Sequence, residues 1–508
     1  MRARISPNER FLLFAGQTFT FADLEERVRC AADVLSRCGL RQGDRVMLMM
    51  ASHPEHILFY LGLNWLGCIV VEASIHLKRA GIALQLEDCE PTAVIVDPTY
   101  AADVREAARG LKPTRILIRG GAGPSNDSLD LAQGAASAAP VGPWQSYLER
   151  VHTISYTSGT TGRPKGVVMS ERYFQVGARN AGKLADVRAG DVIFLWEPFY
   201  HFAAWMSVLM SLQHGVPIAL VERFSASQCW NQIRSADATL FHYLGGAMNI
   251  LLKQPERPDD ADNPIRIAWG AAAPAGSWRE FERRFGCAVR EGYGISEAQN
   301  FTHLNLEGRV GSIGRPIEEV ESWIEGEDGC CLRPDEVGEL VLRPRMPGIV
   351  MQGYFRAPER TAEIMRAGSI YTGDLAVMSE DGFYTYAGRK KDSLRRRGEN
   401  VSAWEVERVI NAHPAVEEAA IVGVPSEMGE QDIRVFVKLV QGQTLDPLDL
   451  IKWCERDLAY YQVPRFVDFV DEFPRGPTQR INKSELPVSA PSRWDLERAG
   501  YKLDRKAI

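Results

Sequence analysis

The sequence predicts an α/β protein with a separate, smaller α+β domain at its C-terminal end. Three observations carry that reading. Short runs that are apolar along their whole length, RVMLMM (45–50), TAVIVD (92–97) and RILI (115–118), alternate with helical stretches. Strands buried on both faces between helices belong to a parallel sheet covered on both sides. After Gly388 the alternation becomes sparser, with long strand-like runs and few helices.

Taken in order, a helix is predicted from Thr20, where Leu24, Val28, Ala31 and Leu35 share one face, Thr20 can cap the start and Gly39 the end. The strand at 45–50 follows, then a helix from about His53, the strand CIVVEA (68–73), and the strands at 92–97 and 115–118. Residues 120–143 are small and turn-forming without periodicity, which predicts a loop or linker between subdomains. Regular alternation resumes at His152. Beyond Gly388 the order is a basic run, a helix with Ser402 and Glu405 in capping-box spacing, strands at VEEAAIVGV (416–424) and IRVFVKLV (433–440), a helix near 447–459, and RFVDFV (465–470).

At 508 residues, with 45% hydrophobic and 25% charged, the chain has room for roughly three average domains, and disordered or collagenous classes are excluded. Its 59 Lys and Arg against 66 Asp and Glu give a net charge of −7, which argues against a nucleic-acid partner held by bulk electrostatics. The nine cysteines form no CxxC pair, which suits a reduced, cytoplasmic compartment. The longest apolar stretch, Ile57 to Val71, is interrupted by Asn64 and short of the ~20 residues of a membrane span. No transmembrane segment or signal peptide is expected. His53 and His56 lie three apart without a third ligand, so no metal site is expected there.

The strongest local signal is ISYTSGTTGRPKGVVMS (154–170). An apolar strand runs into Ser158, Gly159, Thr160, Thr161 and Gly162. Its glycines let a ligand approach the backbone, its hydroxyls donate, and Lys165 adds a point charge, a combination suited to a triphosphate. It is not a Walker A loop, because Pro164 precedes Lys165 and no hydroxyl follows it. The Gly-Tyr-Gly at 292–294 lacks the third glycine of a dinucleotide fingerprint.

In these motifs the chain resembles the AMP-forming adenylating superfamily of acyl-CoA synthetases, peptide-synthetase adenylation domains and beetle luciferases. The resemblance continues in order through GYGISEAQ (292–299, with Ser296 where a Thr is usual), GELVLRPRMPGIVMQGYFRAPERT (338–361), YTGDL (371–375) and GRKKDSLRRRGENVSAWEVE (388–407). It implies a large N-terminal domain of stacked mixed sheets and covering helices (1–388), a hinge (389–392) and a small mobile domain (393–508). The nucleotide site it implies comprises Thr157 to Gly162, Lys165, Gly270, Ala271, Ala272, Glu291, Gly292, Tyr293, Gly294, Ser296, Asp374 and Arg389. Within it Glu297 and Thr157 would face Mg²⁺, Tyr293 would stack on adenine, and Asp374 would accept the ribose hydroxyls. The implied acyl pocket comprises His201, Phe202, Trp205, Gly245, Gly246, Ala272, Gly294 and Gln299. His242 is better read as a packed histidine.

The 388–398 stretch carries a local charge of +5, from six basic residues against Asp392. The resemblance makes Lys391 the pivot and puts Gly398, with Glu399, beside the pantetheine tunnel, where Arg395, Arg396 and Arg397 are expected to meet coenzyme A phosphates. One departure stands out. Where the family carries a Gly-Lys, this chain has FPRGPTQRINKSELP (473–487), with Arg480 at the lysine position and Lys483 three residues later. Either cation can carry the charge that the adenylation step needs, and Lys483 is the favoured one.

The implied reaction activates a carboxylic acid with ATP and Mg²⁺ to acyl-AMP and passes the acyl group to coenzyme A. Lys165, His201, Glu297 and the C-terminal cation are its catalytic candidates. The GENVSAWEVE and TQRINK segments look most like the crotonobetaine/carnitine and medium-chain acyl-CoA ligase branch. The rivals are transfer to an external carrier protein or amine, oxidation of the adenylate, and a nucleotide- or acyl-binding regulator without catalysis. A monomer and a homodimer fit the sequence equally.

Overall fold

The computed structural model describes residues 2–112, 114–120, 128–138, 148–157, 165–390, 394–396, 399–401, 403–426, 431–475, 481–488, 490–492 and 494–503. It is a mixed α/β structure that divides into two compact units, 1–322 with 342–370, and 323–341 with 371–508.

The larger unit holds two large sheets. One has seven strands in the order Ser128–Leu129, Arg115–Arg119, Ala93–Val96, Arg45–Met49, Ile69–Glu72, Val151–Thr157 and Lys165–Ser170. All its pairs are parallel except the last. The predicted apolar runs supply its central strands, and Val46, Met47, Leu48, Val94, Ile95 and Val96 are buried because both faces are covered. The other has nine strands and is parallel through Leu240–Leu244, Ile267–Ala271 and Ala288–Ile295, then antiparallel to Gln299–Asn305. The carboxyl ends of these strands carry most of the candidate residues, the usual place for a ligand in a parallel sheet.

The first predicted helix forms at Phe21–Arg37 as its periodicity predicts, after a short helix at Arg2–Ile5. Thr20 and Asp23 close a reciprocal capping box, and Leu24, Val28, Ala31 and Leu35 face inward. The next, Pro54–Leu66, is capped by His53, whose ring accepts from the Glu55 amide, and ends at Gly67 in the left-handed region. The predicted linker at 120–143 is corrected where the structure describes it. Ser128–Leu129 adds a strand to the seven-stranded sheet, and the Ala135 amide donates to Asp33 at 3.0 Å. A Cβ at Gly134 would lie 2.5 Å from the Cys30 carbonyl oxygen, so glycine lets this segment lie flat on the helix Phe21–Arg37. Low periodicity here reflects a close backbone approach.

The smaller unit has a four-stranded sheet of Val416–Pro425, Gln431–Leu439, Phe466–Phe469 and Trp494–Asp495. The helices Ala403–Asn411 and Pro447–Asp457 contribute Val406, Ile410, Leu450 and Ile451 to its core. Each element predicted beyond Gly388 is present, while Ser402 lies outside the described residues. Among the described residues every cysteine is free and no helix is long and apolar enough to cross a membrane.

Candidate active site

In the larger unit, Thr157 pairs with Lys165 across the antiparallel strands that end and resume at the Gly/Thr-rich segment. The residues between them, 158–164, including Ser158, Gly159, Thr160, Thr161 and Gly162, lie outside the described residues. The Lys165 ammonium sits 4.9 Å from the Tyr354 ring centroid, and the Tyr354 hydroxyl donates to Glu297 Oε1 at 2.7 Å. A cation, an aromatic face and a carboxylate thus form one continuous chain. Backbone bonds hold it in register: Met351 N to Glu297 O at 2.9 Å, Gln352 N to Val168 O at 2.8 Å and Phe355 N to Gly166 O at 2.7 Å. Burial, then the Glu297 charge, pushes the Tyr354 hydroxyl well above the usual phenol range, so it stays a donor. Tyr354 lies within the 338–361 stretch, where no local signal marks it out, because an aromatic shows its partner only in three dimensions.

Glu291 organises the turn after Ile267–Ala271. Its carboxylate accepts from the Ala272 amide at 2.6 Å, the Ala273 amide at 3.0 Å and the Tyr243 hydroxyl at 2.6 Å. Ala272 is held at φ +64°, a conformation that costs an L-residue free energy and that these two amide bonds stabilise. Burial pushes the Glu291 carboxyl up to about 7. A Cβ at Gly270 would lie 1.9 Å from the Tyr243 carbonyl oxygen, and one at Gly294 would lie 2.0 Å from the Asn300 carbonyl oxygen, so both positions require glycine. Gly292 is similarly tight against Phe301 at 2.4 Å. Tyr293, expected to stack on adenine, is buried with its ring edge-on to His303. The Ser296 carbonyl accepts the Tyr173 hydroxyl at 3.0 Å.

Among the pocket candidates, His201 occupies the N-cap position of Phe202–His214 without a side-chain capping bond, and burial pushes its imidazole pKa down, which keeps it neutral. Phe202 packs edge-on to Tyr173 and Phe174, with centroids 5.1 and 5.0 Å away. Gly245 and Gly246 open the helix Gly245–Leu252. Two expectations are corrected. Gln299 is fully buried and its amide donates to the Tyr173 and Ile349 carbonyls, so it is a strut between segments. Trp205 is buried, stacked on Tyr60 at 3.5 Å and bonded to the Phe199 carbonyl, so it belongs to the core. His242, read as packed, is buried and hydrogen-bonded through Nδ1 to Glu197. His56 Nε2 lies 3.1 Å from buried Glu72. Among the described residues no cluster of His, Cys, Asp or Glu could hold a metal unaided.

In the smaller unit, Asp374 and Arg389 are register partners on adjacent strands, with Arg389 Nε 3.0 Å from Asp374 Oδ1. Glu339 accepts from the Gly373 amide and from Lys390, at 3.1 and 2.7 Å, which ties the Thr372–Asp374 part of the strand Ser369–Met378 to the start of the basic run. Lys391, Arg397, Gly398 and Arg480 lie outside the described residues, as do the side chains of Arg395 and Glu399. The expected role of Arg396 is corrected: it is 2% exposed, paired with Asp432 at 3.1 Å and bonded to the Tyr461 and Val463 carbonyls. Buried and bonded through Nε and Nη1, this guanidinium serves the fold of the smaller unit rather than an exposed phosphate site. Lys483 is paired with Glu407 at 2.8 Å.

The fold and these positions define an adenylate-forming enzyme. The model of the AMP-binding enzyme family matches residues 1–355, that of the AMP-binding enzyme C-terminal domain matches 405–480, and the chain belongs to this family. It is 30% identical to long-chain fatty acid transport protein 6 of Mus musculus over 95% of this chain and 83% of that protein. To the crotonobetaine/carnitine–CoA ligase of Salmonella paratyphi A it is 28% identical, over 92% and 93% of the two chains. The crystal structure of ATP-bound MatB from Rhodopseudomonas palustris superposes with a TM-score of 0.85 at 25% identity, covering 96% of this chain and 98% of that one.

Proposed function

We propose that the protein is an AMP-forming acid–thiol ligase that converts a carboxylic acid and ATP to acyl-AMP and pyrophosphate, then transfers the acyl group to coenzyme A. The observation that carries the reading is the Lys165–Tyr354–Glu297 chain beside the Gly/Thr-rich segment, in a chain of the AMP-binding family. Glu297 offers hard carboxylate oxygens, the donor type that Mg²⁺ prefers, and would hold that ion with Thr157; when bound it neutralises phosphate charge. Lys165 adds charge where the phosphates are read to lie, and the Glu291-clamped turn forms a wall that resists deformation. Neutral His201 lines the acyl side. No protein nucleophile is required, because the acid's own carboxylate attacks the α-phosphate.

In this reading the small domain, 393–508, turns about the 389–392 hinge between the two half-reactions. The ion pair of Lys483 with Glu407 occupies its charge, which favours Arg480 as the cation of the first step. The deciding experiment incubates the protein with ATP, Mg²⁺ and a panel of acids, with and without coenzyme A, and weighs the products. Acyl-CoA and AMP are expected. Adenylate that accumulates and moves only to a carrier protein or amine, or AMP released only with oxygen, would replace the proposal. Arg480→Ala is expected to lower acid-dependent pyrophosphate release more than Lys483→Ala does.

A further inference from the structure

Among the described residues the strands Leu394–Arg396 and Glu399–Val401 pair only with each other. A lone two-stranded hairpin is marginal in water, so something must hold this one. Leu394 and Val401, opposite each other in register, enter the core of the smaller unit. Leu394 lies against Gly423 in Val416–Pro425, where a Cβ would approach its Cδ2 to 2.8 Å. Arg396, two residues along on the same face, reaches further. Its guanidinium meets Asp432 at the start of Gln431–Leu439 and the Tyr461 and Val463 carbonyls in the turn before Phe466–Phe469. Asp432 is shared with Arg465 at 2.8 Å, and Arg465 continues to Asp495 on the outermost strand. Arg396 thus ties the hairpin to two separate segments of the smaller unit, and Arg465 carries the network on to a third.

We propose that Arg396 is a positioning residue that bolts the 394–401 hairpin to the small-domain sheet, so that the two move as one rigid body and the thioester-forming step, but not adenylation, depends on it. A buried arginine bonded to one carboxylate and two carbonyls is costly to place and persists where it fixes a unique geometry. Lysine, a point donor, cannot reproduce the three-way contact. The functional half rests on the proposed two-step reaction; the structural half does not.

The test measures amide hydrogen exchange across 394–401 in the full-length wild-type protein, Arg396→Lys and Gly423→Ala. In parallel it measures acid-dependent pyrophosphate release and thioester formation from supplied acyl-adenylate. Exchange at the hairpin is expected to rise about tenfold or more in both variants, with the rest of the small domain unchanged. The kcat of the thioester step should fall about tenfold while pyrophosphate release stays within about twofold. Gly423→Ala disturbs the same docking without touching a charge, so it keeps the proposal open to refutation if the Arg396 variant does not fold. Unchanged hairpin exchange overturns the proposal, as does an equal fall in both half-reactions. If wild-type protein forms no adenylate with any acid, the reaction assignment fails, while the exchange result still decides whether Arg396 is the bolt.

Discussion

Tyr354 joins two candidate residues that lie far apart in sequence. Its ring faces the Lys165 ammonium and its hydroxyl faces Glu297. Tyr354→Phe keeps the ring and removes the bond, so steady-state pyrophosphate release is expected to slow about tenfold, with melting temperature nearly unchanged; an unaltered rate would remove Tyr354 from the site. Glu291 makes a prediction about pH. Its carboxyl titrates at about 7 in the folded protein against an ordinary 4.5, so the native state binds this proton more tightly than the unfolded chain. That contribution to stability is complete below about pH 4.5 and is lost as pH rises through about 7, a difference of about 3 kcal/mol. Glu291→Gln should abolish it. Buried His152 and His303, both pushed down to about 3, act in the opposite sense, so thermal melts of variant and wild type must be compared across pH 5 to 8. Parallel curves would show that Glu291 does not titrate in that range.

Among the elements, the helix Phe21–Arg37 is written in local code: a capping box and a single apolar face. Thr20→Ala removes the side-chain acceptor of the Asp23 amide and is expected to cost about 1 kcal/mol in urea unfolding. A loss below the error of the measurement would mean that packing alone defines the helix start. The 394–401 hairpin is the opposite case. Its basic sequence suggests a solvated face, yet Arg396 is buried because Asp432 and two carbonyls, all distant in sequence, converge on it.

For the whole molecule, two compact units with separate cores are expected to unfold in two calorimetric steps. Ile451→Ala, in the core of the smaller unit, should lower one step by about 2–5 kcal/mol and leave the other in place. Both steps moving together would show a single cooperative molecule. The α/β class, the strands from 45 to 118, the capped helix Phe21–Arg37 and the order of the small-domain elements were legible in the sequence, since periodicity, caps and apolar runs are local properties. The Gly/Thr loop, Glu297, Asp374 and Arg389 were legible as candidates because their residue types and spacing form ordered motifs. Tertiary structure alone decided which polar groups are spent inside the fold. Gln299 became a strut, Trp205 a core residue, Arg396 an anchor and Lys483 the partner of Glu407, while Tyr354 emerged as a link. A sequence states what each side chain is able to bond, but the partner is chosen by which segments the fold brings within about 3 Å, and most of those lie dozens to hundreds of residues away.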